Sequence, residues 1–178
     1  PEEILYGARR SNRTLGDLLR ALKDEGLDSM PGTSAEVLDQ DLRDRLSPGR
    51  IRVDQWEEVI TSAHRLGLPT TATMMYGFLE EPRHVAAHLL RLRNLQEETG
   101  GFTEFVPLSF VHALTPAWLG TRVEGLRPGA TGTEVVAVHA LARVVLGRTF
   151  RNLQASWVKE GPRLAQVLLD AGANDLGG

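Results

Sequence analysis

The chain has 178 residues, 42% of them hydrophobic and 24% charged, with a formal net charge of −3. That balance suits one folded α/β domain with a sizeable core and leaves no basic footprint for nucleic acid or an anionic membrane. No apolar run is long enough to span a bilayer, nothing reads as a signal peptide, and no cysteine is present, so a disulfide framework or a thiolate metal site built from this chain is excluded and a cytoplasmic location is expected.

In chain order, Leu15 to Glu25 has a helical stripe of Leu15, Leu18, Leu19 and Leu22. GLDSMPG (26–32) is the first β-like run, and Thr33 and Glu36 after it have the spacing of a capping box. Val53 to Leu66 predicts a helix with Val53, Trp56, Val59, Ile60 and Ala63 on one face, Asp54 to cap it and Gly67 to close it. TTATMMYG (70–77) reads as a strand. Pro82 to Thr99 is a second amphipathic helix through Val85, Leu89, Leu92 and Leu95, followed by the β-like TEFVPLSF (103–110). Thr133 to Leu146 carries Val135, Val138, Leu141, Ala142 and Val145 on one face. NLQASWVK (152–159), a helical pattern over Gly161 to Leu169 and AGANDLGG (171–178) complete the series.

Strands that alternate with helices predict βα units and a parallel sheet. No GxGxxG or Walker loop follows any strand, which favours part of a (β/α) barrel over an open nucleotide-binding sheet. Eight units need about 250 residues, so five units in this length match roughly the last five-eighths of a barrel. The chain therefore reads as an excised piece, with two open edges and little stability alone.

Strand carboxyl ends carry the chemistry in such folds. Here they present Ser29, Pro31 and Gly32; Tyr76, Gly77 and Glu80; Pro107, Phe110 and His112; Ser156, Trp157 and Lys159; and Asn174 with Asp175. Alternation along NLQASWV puts Leu153, Ala155 and Trp157 outward and Gln154, Ser156 and Val158 inward, with Thr71, Thr73 or Glu104 lining the same interior. A polar interior suggests a cavity for a polar ligand. Plainer readings stand beside these: Glu80 and Glu81 suit a helix N-terminus whatever the function, and His64, His84, His88 and His139 fall on helical patterns as surface or boundary residues. His112 lies just past a strand end, and Trp157 either packs or forms a substrate wall. No Ser-His-Asp order, HExxH or metal-ligand cluster is present.

GLDSMPGTSAEVL, TTATMMYG with Glu80 and Pro82, GGFTEFVPLSFVH, HALAR, NLQASWVK and AGANDLGG, in that order, resemble the deazaflavin synthase branch of the radical S-adenosylmethionine enzymes, and within it the tyrosine-cleaving subunit or domain. Futalosine-route menaquinone enzymes share the DSxPGxxAE and YGxxE patterns and are the alternative, with a non-catalytic barrel that binds a ligand or partner as a third. The resemblance implies a radical S-adenosylmethionine (β/α) barrel, of TIM type, represented here by its C-terminal part of about five βα units, residues 1–178 forming one partial domain. It implies two cofactors, S-adenosylmethionine and a [4Fe-4S] cluster whose CxxxCxxC ligands are expected upstream. It further implies the small-molecule partners tyrosine and 5-amino-6-(D-ribitylamino)uracil, and a second synthase module, fused or separate.

Position by position, the resemblance assigns Ser29, Pro31, Tyr76, Gly77 and Glu80 to cofactor binding. It assigns Glu104, Pro107, His112, Gln154, Ser156, Trp157, Lys159 and Asn174 to the substrate, and leaves catalytic roles open. Gly32, Thr33 and Glu36 complete DSxPGxxAE. The chain departs from the family at Phe78, where histidine is usual, at Pro116-Ala117-Trp118, and in a small insertion over Thr121 to Leu126.

Overall fold

In a computed structural model, the structure describes residues 1–113, 115 and 123–177. The segment Pro116-Ala117-Trp118 and the start of the suggested insertion, Thr121, lie outside the described residues. Four helices precede the sheet: α1 (Glu2–Arg10), α2 (Leu15–Asp24), α3 (Gln40–Leu46) and α4 (Val53–Arg65). Then follow β1 (Thr70–Tyr76), α5 (Pro82–Thr99), β2 (Phe102–Ser109), α6 (Gly132–Leu146), β3 (Asn152–Ser156), α7 (Trp157–Asp170) and β4 (Asp175–Gly177). The strands form one parallel sheet in the order β1-β2-β3-β4. The α/β class and the alternation from β1 onward are as expected, but the described residues form four strands in place of five β-like runs, so fewer than five βα units are present.

Burial alternates along β1, with Thr70, Ala72, Met74 and Tyr76 buried and Thr71, Thr73 and Met75 half-buried. Ala72 pairs with Phe105 and Phe105 with Leu153. This apolar face packs under the helices in a core that includes Trp56, Leu89, Val138 and Leu168. The opposite face carries Thr71, Thr73, Glu104, Leu108, Gln154 and Asp175, none of which belongs to that core. Along α4, the predicted stripe Val53, Trp56, Val59, Ile60 and Ala63 is buried. Gly67 closes that helix with φ +70°, its N–H donating to the His64 carbonyl.

Several expectations are corrected. GLDSMPG forms no strand; only Met30 bridges Thr70. Pro31 has no N–H for a ladder, and Thr71 and Thr73 of β1 supply the bonds instead. The Thr71 hydroxyl accepts from the Gly32 N–H at 3.0 Å, and the Thr73 hydroxyl donates to the Gly32 carbonyl at 3.1 Å. Met75 N–H then donates to the Glu36 carbonyl at 2.7 Å, so residues 30–36 run along the edge of β1. Capping by Thr33 and Glu36 is also absent, because Ser34 and Glu36 both have positive φ. Glu36 instead pairs at 3.0 Å with Arg43, a side chain 4% exposed that also donates to the carbonyls of Ser34, Ala35 and Ile51.

The first helix turns differ too. The cap of α3 is Asp39, which accepts from the Leu42 N–H. Asp54 lies inside the first turn of α4 and pairs with Arg52, whereas the Val53 N–H finds Gln40 Oε1. NLQASWVK is strand only to Ser156, where the pairing with β4 ends. Trp157 to Lys159 begin α7, which Gly161 (φ +79°) and Pro162 kink. Val158 is therefore exposed on a helix and is no interior residue. His64, His88 and His139 are buried, against the expectation of surface or boundary positions. His64 is held between the Thr99 hydroxyl (2.6 Å) and the Thr70 hydroxyl (2.9 Å), and His88 Nδ1 accepts from the Leu38 N–H at 3.0 Å. Such bonds let a helical stripe include histidine.

Candidate functional site

The carboxyl ends of the first three strands are laced together. Phe110 N–H donates to the Tyr76 carbonyl at 2.7 Å, and Lys159 Nζ donates to the Ser109 carbonyl at 2.6 Å. Beyond β1, Glu80 folds back under its own turn. Its Oε1 accepts from the Gly77 N–H at 2.5 Å and its Oε2 from the Phe78 N–H at 2.8 Å. Arg127 Nη2 completes the set at 2.8 Å from Oε1. The other arm of Arg127 donates to Glu134, the N3 residue of α6, whose second oxygen accepts from the Thr131 N–H at 2.8 Å. That N–H first, and Arg127 next, hold the Glu134 carboxyl at about 2.

Turn and loop are in backbone contact. A Cβ on Gly77, whose φ is +90°, would sit 2.4 Å from Ala130 N. His112 Nδ1 bonds the Pro128 carbonyl, so the same loop also reaches the end of β2.

On the open face, β2, β3 and β4 bring three polar side chains together. Gln154 Nε2 donates to Glu104 Oε2 at 3.0 Å and to Asp175 Oδ2 at 3.3 Å. Burial, and then the Asp175 carboxylate, push the Glu104 carboxyl above its ordinary value, while the Gln154 amide opposes this. Gly177 leaves room for the Gln154 side chain, since a Cβ there would meet its amide at 2.3 Å. This arrangement can accept hydrogen bonds from hydroxyls or an ammonium group, and it can hold a proton on Glu104.

The other positions scatter. Tyr76 turns its ring into the core, 1% exposed, with its hydroxyl buried and unpartnered; burial, then the field of Glu160, raise its pKa. It lines, with Glu80, Val85, Arg127, Glu134 and Leu141, a cavity of about 400 Å³ between α5 and α6. Leu141 is 38% exposed at that cavity and is no core residue. Ser29 and Pro31 are exposed beside the amino half of β1. The Thr71 and Thr73 hydroxyls, expected to line a ligand cavity, are engaged by Gly32.

Pro107 is opposite Met74 and faces the helices. Asn174 is at the amino end of β4, where it accepts from the Leu153 N–H and Arg143 and donates to the Arg151 carbonyl. Ser156 pairs with Gly177 on the open face, and Trp157 is 49% exposed against Leu176 and Pro162. Phe78 is 1% exposed, its ring 6.1 Å from Phe110. Glu104 and Gln154 thus come together, and Asp175 joins them. Sequence reading missed Arg127 and Glu134, which only the folding of the loop after β2 delivers to Glu80.

An iron–sulfur cluster does not fit the donor set of this chain. It has no cysteine, and no three His, Asp or Glu side chains among the described residues could hold a metal ion together.

Residues 99–178 match the family model of the CofH/MqnC C-terminal region. Over its whole length the chain is 53% identical to a 5-amino-6-(D-ribitylamino)uracil--L-tyrosine 4-hydroxyphenyl transferase of Methanopyrus kandleri, of which it spans 47%. It is 47% identical to the transferase of the same name from Methanocaldococcus jannaschii, spanning 49% of it, and 47% identical to an FO synthase of Mycobacterium tuberculosis, spanning 20%. The chain spans about half the length of the curated transferases it matches. The chain is thus similar over its whole length to these transferases, and over residues 99–178 to the CofH/MqnC C-terminal region.

Proposed function

We propose that this chain is the C-terminal part of a radical S-adenosylmethionine (β/α) barrel, residues 1–178 forming one partial domain. The whole enzyme cleaves tyrosine and transfers its 4-hydroxybenzyl group to 5-amino-6-(D-ribitylamino)uracil, in the cytoplasm. One observation carries the reading: the sheet keeps a polar face turned away from the helix-packed core, with Glu104, Gln154 and Asp175 interlocked across three strands. Among relatives named for this transfer, such a face suits the inner wall of a barrel. A second synthase module, fused or separate, is the expected partner.

S-adenosylmethionine and a [4Fe-4S] cluster would supply the radical chemistry of the whole enzyme. The cluster ligands come from outside these residues. This chain contributes the wall. Met75 and Leu108, side by side in the register of β1 and β2, offer an apolar surface near the rim. Below them Glu104 and Asp175 accept hydrogen bonds from the ribityl hydroxyls or the tyrosine ammonium, while Gln154 keeps the two carboxyls apart. Lys159 and Trp157 border the opening. The menaquinone-route alternative keeps its shared DSxPGxxAE and YGxxE patterns, but a Phe78 ring buried against Phe110 lends it no added support.

The test is turnover by the full-length protein, reconstituted without oxygen, with tyrosine and the aminouracil. Mass spectrometry should find the 4-hydroxybenzyl adduct together with 5′-deoxyadenosine. Turnover of S-adenosylmethionine with neither substrate consumed would overturn the assignment.

A further inference from the structure

We propose that Arg127 is a positioning residue of this reaction: it fixes the turn after β1 against the loop leading into α6, and so sets the backbone at the rim of the sheet. The inference rests on the reading above, that the open face and its carboxyl rim carry the chemistry.

Arg127 grips the turn twice. Its guanidinium donates to Glu80 Oε1 at 2.8 Å, and its main-chain N–H donates to the Phe78 carbonyl at 2.8 Å. Glu80 is 4% exposed, and its oxygens are already taken by the Gly77 and Phe78 N–H groups. Glu80 is therefore no base for a ligand. It is a buried carboxylate that orders the turn and needs a cation to neutralise it. Among the described residues, Arg127 is the cation paired with it.

On the far side Arg127 is anchored by Glu134, which is tied in turn to the N-terminus of α6 through Thr131. The guanidinium is 37% exposed and Glu134 38%, so this outer half of the triad adds little stability. What it supplies is geometry. Because a Cβ at Gly77 would already strike Ala130 N, movement of the loop transfers directly to the turn. The turn follows Tyr76, and Met75 before it faces the open side, so the register of the rim depends on this strut.

The test compares Arg127→Met and Arg127→Lys in the full-length protein. Without cofactor or turnover, hydrogen exchange of the Gly77 and Phe78 amides should quicken about tenfold or more in Arg127→Met, with α4 unchanged, and recover in part in Arg127→Lys. In the reconstituted enzyme, kcat should fall at least about tenfold while KM for tyrosine stays within about threefold. Arg127→Lys keeps the charge on one carboxylate and decides the matter if Arg127→Met does not fold. Unchanged exchange in both variants would overturn the strut. Faster exchange with unchanged kcat would overturn its role in the reaction. A wild-type enzyme inactive on tyrosine and the aminouracil would sink the functional reading and the positioning role with it, while the exchange result still reports on the strut, so the two failures are told apart.

Discussion

A Cβ on Gly32 would sit 1.8 Å from the carbonyl oxygen of Thr71. The chain before the sheet presses its backbone against β1 at this point, and the hydroxyls of Thr71 and Thr73 bond the Gly32 N–H and carbonyl. Gly32→Ala should therefore destabilise the fold by about 2–3 kcal/mol, since backbone cannot yield as a side chain does. Thr73→Val removes one hydrogen bond and should lose about 1 kcal/mol. Denaturant unfolding of both variants checks this; a Gly32→Ala protein as stable as wild type would show that residues 30–36 do not lie along β1.

The buried histidines make the fold acid-sensitive. Burial lowers His64 to about 4 and His88 to about 3, so the folded protein holds both neutral where an unfolded chain takes up protons. Their contribution is complete above about pH 6.5 and is lost as pH falls toward and through those lower values. Melting temperature should decline between pH 6.5 and 4, and the ring resonances of His64 and His88 should show no protonation at pH 5. A flat melting temperature over that range would contradict the burial.

Glu134 behaves differently. Its carboxyl is depressed to about 2, so its contribution is full above about pH 4.5 and is lost as pH falls from there toward and through about 2. It takes no part in the decline between pH 6.5 and 4.5. Thr131 caps α6, its hydroxyl accepting from the Glu134 N–H at 3.2 Å. Thr131→Ala should cost about 1 kcal/mol in unfolding free energy at pH 7 and at pH 5 alike.

Glu104→Gln separates structural from functional roles. Replacing a carboxyl held near Asp175 by a neutral amide relieves like-charge repulsion, and stability at pH 7 should rise by about 0.5 kcal/mol. On the proposed reading, turnover by the full-length protein should fall, because the acceptor on the open face is weakened. A variant that loses stability as well as activity would make Glu104 a structural residue.

Much of this was written in the chain's periodicity. The stripe from Val53 to Ala63, the helix from Pro82 to Thr99 and the strand at Thr70 are local patterns that tertiary contacts reinforce, so spacing alone located them. The short helices at Glu2 and Gln40 escaped notice: Ile4, Leu5 and Ala8 in EEILYGARR, and Leu42 and Leu46 in QDLRDRL, make stripes too short to stand out. GLDSMPG and the WVK end of NLQASWVK looked like strand because β propensity describes a residue's fit to a pleated surface, and only the neighbours decide whether such a surface is there.

By itself, then, the sequence determined the α/β class, the order of most elements and a resemblance to one enzyme branch, because each of these follows from residue types at short spacing. Only the tertiary structure decided what the polar residues do. It turned Thr71 and Thr73 toward Gly32, buried Tyr76 and three histidines, and joined Glu80 to Arg127 across 47 positions of chain. It likewise assembled Glu104, Gln154 and Asp175 from three strands. A hydrogen bond depends on a few ångströms and a direction, and between distant residues the folded backbone alone sets those.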